Sequence, residues 1–308
     1  MVELDLRSKM TESRQNSIEV KRYRNVTKEQ LYEIHYGPKG LPVILEEATS
    51  SWRAISAWNL EFFRTRYRDG TITPSSNYPR SVKVMKLGDY LSYVEDQLIQ
   101  TSGFWIDMDS KLPREETAAD RESPLYLSNW NVFPFYPELL KDVSPDPECI
   151  DDQLSLLPED LQASLLESAY NSRSVLIGPA GSSSPLHYDF LDTHAYIAQV
   201  QGSKVCTLYS PSDGRFLYDG RVNPENGNLD QYPLLAKAQA YSCVLNPGEV
   251  LLIAAGWWHF IRNLEISIAV NYNFFNRTNR DSFFKNLAQV MPELERRMAE
   301  HSHLIFTV

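Results

Sequence analysis

Short apolar stretches separated by turn-forming residues dominate the chain from Ser174 to Phe275. No strong helical period lies between them, which is typical of the strands of a sandwich or barrel. One long gap, residues 211–240, carries Asp-Gly, Asn-Pro and Asn-Gly turn signals, and a loop of this length in a compact domain is usually functional. The predicted strands are SVLIG, LHYDF, AYIAQVQ, KVCTLYS, YSCVL, EVLLIA, WHFI and EISIAVNYNFF.

The segments on either side of this region show a different pattern. Apolar residues recur every three to four positions over 60–67 and 87–99, which predicts two helices, and PVIL at 42–45 predicts a short buried strand. Thr27 stands three residues before Gln30, the spacing of a capping box that opens a helix. Near the C-terminus an apolar stripe predicts a pair of amphipathic helices, the second beginning at Pro292. The stripe consists of Phe283, Phe284, Leu287, Val290, Met291, Leu294 and Met298.

These patterns divide the chain into four segments and predict a mainly β fold with flanking helices. Residues 1–20 are polar and are expected to be flexible. Residues 21–173 form an N-terminal elaboration that packs on a barrel of residues 174–280. Residues 281–308 form a helical segment whose apolar stripe must be buried, either on its own domain or on another subunit. We expect a homodimer that forms through these helices.

The charge of the chain is strongly local. The 308 residues include 30 Lys and Arg against 40 Asp and Glu, a net charge of −10. Phosphate contacts need a basic surface, so we expect no nucleic acid as a partner. Residues 105–170 alone hold 15 acidic residues against four basic ones, whereas residues 171–280 are neutral. The acidic segment is interpreted as a solvated face or, alternatively, as a surface that favours a cationic substrate.

Cysteine usage and hydropathy predict a cytoplasmic protein with no membrane partner. Cys149, Cys206 and Cys243 are too few and too scattered for a disulfide framework, and they fit a reducing compartment. The polar N-terminal residues lack the apolar stretch of a signal peptide. The longest apolar run, Val250 to Trp258, is too short to span a bilayer.

The residues suited to metal chemistry lie in the predicted strands. His187 and Asp189 are two residues apart in LHYDF, so a strand offers both side chains on one face. GWWH at 256–259 follows the strand EVLLIA and supplies a third candidate ligand, His259. Two His and one carboxylate form the facial triad of non-haem Fe(II) oxygenases, and zinc hydrolases use a similar set. The spacing alone leaves both metals open, together with a satisfied core His and a turn-capping Asp.

Two further features favour an anionic cosubstrate. Lys204 lies in the predicted strand KVCTLYS, and a lysine inside a small barrel is costly unless an anion pairs with it. The side chain therefore either reaches outward or meets an anion such as a carboxylate of 2-oxoglutarate. In EISIAVNYNFF, Asn271 and Asn273 share one face of a strand. Two amides there either hydrogen-bond a cosubstrate carboxylate or face solvent.

Two stretches resemble the Jumonji-C, cupin-type oxygenases that depend on Fe(II) and 2-oxoglutarate. They are GPAGSSSPLHYDFLDTHAYIAQVQGSKVCTLYSP and NPGEVLLIAAGWWHFIRNLEISIAVNYNFF. The likeness is greatest to the small hydroxylase branch, which includes lysyl, asparaginyl and tRNA wybutosine hydroxylases. It is strong over about residues 174–276 and extends weakly through 42–52 and 123–130. It implies a double-stranded β-helix (cupin or jelly-roll) barrel with an N-terminal α/β elaboration and C-terminal helices.

The resemblance also implies roles for individual residues. His187, Asp189 and His259 match the family's catalytic residues, which are its Fe(II) ligands. Lys204 and Tyr126 match the residues that hold the distal carboxylate of 2-oxoglutarate. The other implied cosubstrate-binding residues are Ser184, Thr193, Asn271 and Asn273. Ile197 departs from the pattern, since relatives have an asparagine in this strand, and Thr193 is a candidate substitute.

The implied activity is hydroxylation of an unactivated C–H with Fe(II), 2-oxoglutarate and O2. The expected substrate is an amino-acid side chain of a protein or peptide. A free amino acid or a natural-product intermediate is the alternative. Demethylation is less expected, because the chain shows no chromatin-binding module. A non-catalytic cupin that binds a ligand is the second alternative, and the complete triad argues against it.

Overall fold

The computed structural model of the chain describes residues 17–37, 40–77, 80–99, 101–107, 110–117, 120, 123–167 and 173–300. Residues 1–16 of the predicted flexible N-terminus and residues 301–308 of the predicted C-terminal segment lie outside the described residues. The next residues of the N-terminus are ordered, because Ile18–Glu19 forms a strand that pairs with Tyr241 and Ser242.

The strands predicted from hydropathy are confirmed, most of them with small shifts at their ends. The strands within the described residues are β1 (Ile18–Glu19), β2 (Lys21–Tyr23), β3 (Val43–Leu45), β4 (Thr71–Ile72), β5 (Ser75–Asn77), β6 (Arg80–Lys86), β7 (Phe104–Asp107), β8 (Pro113–Arg114), β9 (Leu127–Trp130), β10 (Arg173–Gly178), β11 (Ser183–His187), β12 (His194–Gln201), β13 (Lys204–Tyr209), β14 (Ala240–Leu245), β15 (Val250–Ile253), β16 (Trp258–Asn263) and β17 (Ser267–Phe274). The prediction for LHYDF was wrong at its end, because β11 stops at His187 and a 3₁₀ turn occupies Phe190–Asp192.

The helices lie before and after the barrel strands. Those within the described residues are α1 (Lys28–Leu31), continued by a π-turn at Tyr32–Tyr36, α2 (Arg53–Ala57), α3 (Leu60–Tyr67), α4 (Leu87–Glu95), α5 (Leu139–Asp142), α6 (Glu159–Glu167), α7 (Arg280–Val290) and α8 (Pro292–Glu300). The capping box is confirmed, with reciprocal hydrogen bonds between Thr27 and Gln30 at 3.0 and 3.3 Å. The helix predicted over 87–99 is shorter, because Asp96 leaves helical geometry and its Oδ1 accepts from the Leu98 N–H at 3.0 Å.

Two sheets face each other and enclose the barrel. Within the described residues the larger sheet has the order β2-β3-β15-β12-β17-β10-β9 and the smaller has the order β1-β14-β13-β16-β11. From β10 to β17 the chain crosses repeatedly between the two sheets, and neighbouring barrel strands are antiparallel. This is the jelly-roll arrangement, so the predicted fold is confirmed.

Side-chain alternation separates the barrel interior from the outer faces. On β17 the predicted faces are confirmed, since Val270 and Tyr272 pack in the outer core whereas Ala269 packs inside the barrel. By the same alternation, Lys204, His259 and Asn263 face the interior, as do Asn271 and Asn273. The apolar residues that surround them are Leu176, Ala195, Ile197, Cys206, Leu208, Cys243, Leu245, Leu251, Ile253, Ile261 and Ala269.

Much of the acidic segment is fixed to the outer side of the larger sheet by its own carboxylates. Asp142 accepts hydrogen bonds from Arg53 at 2.6 Å and from the Trp58 indole at 2.9 Å. Asp146 pairs at 2.7 Å with Arg173, which is buried on β10. Asp152 accepts from the Tyr272 hydroxyl at 2.7 Å. Asp146 and Asp152 therefore hold the N-terminal elaboration on the barrel, whereas Asp142 ties together two parts of the elaboration itself.

The long segment between β13 and β14 covers the outer face of the smaller sheet. It contains three 3₁₀ turns, at Pro211–Phe216, Tyr218–Gly220 and Pro233–Lys237. Leu217 and Val222 are buried against apolar residues of the smaller sheet. The segment is therefore packed on the barrel wall.

The C-terminal helices pack on their own chain. Their apolar stripe buries Phe283, Leu287, Leu294 and Met298 in one cluster that includes residues before β10, in the 3₁₀ turn after β11 and at the end of β17. The stripe therefore has a partner within the chain, and the homodimer stays a prediction. None of the described helices combines the length and the apolar character needed to cross a membrane.

Candidate metal centre

Three candidate ligands meet at one end of the barrel. His187 on β11 lies directly opposite His259 on β16, and their ring centroids are 4.2 Å apart. Asp189 completes the group, in which one ligand atom from each residue lies within 4.8 Å of the others. Two imidazole nitrogens and one carboxylate oxygen on one side of a site are the donor set of the Fe(II) facial triad, and the other side stays open for further ligands.

Backbone hydrogen bonds orient both imidazoles towards this group. The Nδ1 atom of His187 lies 2.7 Å from the carbonyl of Pro185, and that of His259 lies 3.2 Å from the carbonyl of Trp257. A carbonyl only accepts, so each Nδ1 carries the proton and donates it. Each Nε2 is then left with the lone pair that a metal ligand needs.

Burial favours the neutral form of His259. The side chain is 4% exposed, and burial lowers the pKa of its imidazole to about 4. The nearby His187 acts in the same direction, whereas Asp189 opposes it. A neutral imidazole is the form that binds a metal, so the site does not need to lose a proton from His259 near neutral pH.

The loop that carries Asp189 is held in place by the C-terminal helical segment. Asp189 has extended backbone angles (φ −69°, ψ 138°) just before the 3₁₀ turn, in which Leu191 and Asp192 adopt positive φ values of 60° and 57°. Such angles cost about 1–3 kcal/mol for non-glycine residues and persist only where packing enforces them. Leu191 is buried in the C-terminal cluster, and the Asn279 amide donates to the Asp192 carbonyl at 2.8 Å.

Lys204 lies inside the barrel and does not reach outward to solvent. Of its two interpretations, the structure therefore agrees with the one in which the side chain is available to meet an anion. Its side chain is fully buried, and its Nζ donates to the Tyr126 hydroxyl at 3.0 Å and to Asn263 Oδ1 at 2.5 Å. Burial lowers the pKa of Lys204 to about 7 and raises that of Tyr126 well above its usual range. Lys204 and Tyr126, which are 78 residues apart in sequence, are therefore brought together.

A second set of polar side chains links β17 to the loop that carries Asp189. The Asn271 amide donates to Asn273 Oδ1 at 2.7 Å, and the Asn273 amide donates to Thr193 Oγ1 at 2.9 Å. The Thr193 hydroxyl in turn donates to the Phe190 carbonyl at 3.4 Å. These predicted cosubstrate contacts thus form one chain that ends in the loop after Asp189.

The two remaining positions of the predicted site lie on the barrel wall. Ser184 pairs with Ile261 across β11 and β16, which places it on the interior side of the smaller sheet. Ile197 lies opposite Asn271 on β17 and is 3% exposed in the interior apolar cluster. The position where the family resemblance implies an asparagine is therefore an apolar part of the wall.

Asn263 is the residue of this site that the sequence reasoning missed. It is fully buried on β16, directly opposite Lys204. The signal was present, because His259, Ile261 and Asn263 are spaced by two along one strand and share the interior face. Gly178 also belongs here, since an added Cβ would lie within 2.7 Å of Ser182, Tyr126 and Asn263 side-chain atoms.

The arrangement combines an open metal site with a buried cation. His259 and Lys204 are on neighbouring strands and four residues apart in register, about 13 Å along the strand. A small dicarboxylate can therefore ligate the metal with one end and meet the lysine with the other. A zinc hydrolase has no comparable need for a buried lysine, so the geometry favours an oxygenase donor set.

Comparisons with known proteins agree with the fold. A family model described as Cupin-like domain matches residues 29–280. Lysine-specific demethylase JMJ21 of Arabidopsis thaliana is 29% identical over 273 residues, which cover 84% of this chain and 26% of that protein. Arginine-specific demethylase JMJ20 of the same plant is 26% identical over 266 residues, covering 79% of this chain and 54% of that protein.

A third relative is tRNA wybutosine-synthesizing protein 5 of Mus musculus. It is 27% identical over 259 residues, which cover 82% of this chain and 76% of that protein. The chain spans about a quarter of the length of the first of these relatives and about half of the second. The names of these relatives refer to lysine, to arginine and to tRNA.

Proposed function

Because the chain belongs to the Cupin-like domain family, whose JmjC members are Fe(II)- and 2-oxoglutarate-dependent oxygenases, we propose that it is such an enzyme and hydroxylates an unactivated C–H. The observation that carries the proposal is the pairing of the His187, Asp189 and His259 group with a buried lysine in the same barrel. A non-catalytic cupin would have no use for this combination.

Each part of the site has a defined task in this proposal. His187 and His259 offer Nε2, and Asp189 offers a carboxylate oxygen, to Fe(II). When bound, Fe(II) and 2-oxoglutarate activate O2 and supply the oxidising power for hydroxylation. The apolar wall keeps water from the buried cosubstrate, and the orientation of the imidazoles by backbone carbonyls limits reorganisation on metal binding.

Lys204 and Tyr126 are proposed to bind the distal carboxylate of 2-oxoglutarate. An ammonium group has three donors, and the structure shows two of them used by Tyr126 and Asn263. The third is available to an anion, which would also compensate the burial of the charge. Ser184, Thr193, Asn271 and Asn273 are proposed to line the cosubstrate along the way to the metal.

The proposed substrate is an amino-acid side chain of a protein or peptide. Two of the relatives are named as lysine-specific and arginine-specific demethylases, and hydroxylation of an N-methyl C–H would be the same chemistry. The acidic segment supports a cationic substrate, although several of its carboxylates are engaged within the chain. A free amino acid or natural-product intermediate is the alternative. We expect no nucleic-acid substrate. Because one relative is named for tRNA wybutosine synthesis, tRNA is the nucleic acid with which this expectation is tested.

The test is cosubstrate turnover with defined substrate pools. Anaerobically purified protein is loaded with Fe(II), given 2-oxoglutarate and air, and assayed for succinate with peptide, amino-acid and tRNA pools. We expect succinate and a 16-dalton gain in the peptide pool, and neither with His187→Ala or Asp189→Ala. Asp219→Ala removes an exposed carboxylate and should behave as wild type. Absence of succinate with every pool, together with unchanged iron binding in the two ligand variants, would refute the proposal.

Three features of organisation are proposed alongside the chemistry. The division at residues 20, 173 and 280 is tested by calorimetric unfolding, in which separately folding segments should give more than one transition. A homodimer through the C-terminal helices should sediment at twice the chain mass at micromolar concentration, and a monomer there would refute it. The cytoplasmic location inferred from the cysteines is tested by fractionation.

A further inference from the structure

Asn263 contacts Lys204 through an amide whose orientation is fixed on both sides. Its Oδ1 accepts from Lys204 Nζ at 2.5 Å, and its Nδ2 donates to Ser182 Oγ at 2.8 Å. Ser182 is itself buried and donates to the Pro179 carbonyl at 2.7 Å. Because a lysine only donates, the oxygen of the amide must face Nζ, and the Ser182 contact holds it there.

The partners of Lys204 compensate its charge only weakly, through the Tyr126 ring, whose centroid lies 5.3 Å from Nζ. Across the described part of the chain, no carboxylate forms an ion pair with Lys204, and its hydrogen-bond partners are the neutral oxygens of Tyr126 and Asn263. An aspartate at position 263 would have nearly the same shape as asparagine but would place a negative charge against Nζ. Asn263 therefore orients the ammonium group of Lys204 without neutralising its charge.

We propose that Asn263 is a positioning residue that acts through Lys204: it aims the ammonium group into the barrel while leaving its charge for the distal carboxylate of a 2-oxoacid, and so sets a preference for dicarboxylates. This inference rests on the proposed function. It adds a residue, and a reason for its neutrality, to the cosubstrate site.

The inference predicts that a variant that changes the charge at position 263 and a variant that removes only its hydrogen bond will affect cosubstrate binding differently. In Asn263→Asp the new carboxylate pairs with Lys204, and a second carboxylate from the cosubstrate then meets repulsion instead of attraction. In Asn263→Leu the charge stays available but the ammonium group loses one of its guides. In Ser182→Ala the asparagine remains, and only the contact that fixes its amide is lost.

The experiment compares two ligands that differ only at the distal end. 2-Oxoglutarate and 2-oxobutyrate share the keto-acid end, and 2-oxobutyrate lacks the distal carboxylate. Both are titrated calorimetrically into Mn(II)-loaded wild type and variants, and the melting temperature of each protein is recorded. Asn223→Asp is the matched control, because it makes the same chemical change in the segment outside the smaller sheet, where Asn223 Oδ1 accepts from the Glu225 N–H.

We expect Asn263→Asp to bind 2-oxoglutarate at least tenfold more weakly than wild type, with less than a threefold change for 2-oxobutyrate and no drop in melting temperature. Asn263→Leu and Ser182→Ala should lose part of the preference, and Asn223→Asp none. A merely structural role would weaken both ligands equally and lower the melting temperature, and that result would overturn the inference. So would an unchanged preference in Asn263→Asp when the wild type binds 2-oxoglutarate. A wild type that binds no 2-oxoglutarate would overturn the proposed function and this inference together.

Discussion

Gly178 lies at the end of β10, where the side chains around Lys204 leave no room for a methyl group. A Cβ added there would lie 2.5 Å from Ser182 Oγ, 2.5 Å from Tyr126 Cδ2 and 2.7 Å from Asn263 Nδ2. All three separations are shorter than real Cβ contacts, so in Gly178→Ala these three side chains, or the backbone of Gly178, must shift. Tyr126 and Asn263 are the two partners of Lys204, so the change reaches the cosubstrate site.

Two effects determine the size of the result. Overpacking of a full core costs about 1–3 kcal/mol, and the smaller backbone entropy of unfolded alanine offsets about 0.4–1 kcal/mol of it. The loss of one well-placed hydrogen bond to the ammonium group costs about 1.5–3 kcal/mol. We therefore expect Gly178→Ala to unfold about 1–2 kcal/mol more easily and to bind 2-oxoglutarate roughly 10- to 100-fold more weakly.

The measurement is urea unfolding together with calorimetric titration of 2-oxoglutarate into Mn(II)-loaded protein. Gly248→Ala is the matched control, since an added Cβ there meets no atom within 4 Å but the residue has φ +85°. Its cost is backbone strain of about 1–2 kcal/mol, and its affinity for 2-oxoglutarate should not change. If Gly178→Ala kept wild-type stability and affinity, the described packing around Lys204 would be wrong.

Three further predictions concern pH and the metal loop. Burial raises the pKa of the Asp152 carboxyl to about 6, so its contribution to stability is present below pH 4 and is lost as the pH rises through 6. In Asp152→Asn the amide oxygen can still accept from the Leu154 N–H, and the amide N–H can donate to the Tyr272 hydroxyl. This variant should raise the free energy of unfolding at pH 8 by about 1–3 kcal/mol and lose the advantage below pH 4. Burial lowers the pKa of His35 to about 4, so the contribution of its neutral imidazole to stability is present above pH 6.5 and is lost as the pH falls towards 4. His35→Gln should therefore flatten the pH dependence of the urea midpoint between pH 4 and 6.5. An unchanged slope would contradict the lowered pKa of His35. The two contributions have opposite signs and partly cancel in the wild type, so the single variants are needed to separate them. Asn279→Ala removes the hydrogen bond to the Asp192 carbonyl, and it should weaken Mn(II) binding about tenfold; equal affinity in calorimetry would show that the loop needs no support from the C-terminal helices.

The barrel could be predicted from the sequence because its signal is local. Each strand from β10 to β17 appears as a short apolar or alternating run between turn residues, and the interior face of β17 follows from its period of two. Asp189 was the exception, because the sequence does not show that β11 ends at His187. The loop depends instead on Leu191 and Asn279, which act through contacts with residues far away in the chain.

The environment of Lys204 could be predicted only in part, for a related reason. A lysine in an apolar strand required either an outward path or an anion, and burial in the barrel excludes the outward path. The structure adds what pattern could not supply, namely a register that places Asn263 opposite Lys204 and a glycine that lets Tyr126 approach from outside the barrel strands. Contacts between strands distant in sequence have no local signature.

The acidic segment shows how a charge sum can be misread. Its 15 acidic residues favoured either a solvated face or a cationic substrate. The structure adds a third use, since Asp142 and Asp146 pair with Arg53 and Arg173, and Asp152 accepts from Tyr272. Arg173 and Tyr272 belong to the larger sheet, so part of the charge attaches the N-terminal elaboration to the barrel. A carboxylate engaged in this way attracts a substrate much less than a free one, because its field is largely cancelled by its partner. Electrostatic selection of a cationic substrate therefore has to come from the acidic side chains that these contacts leave exposed.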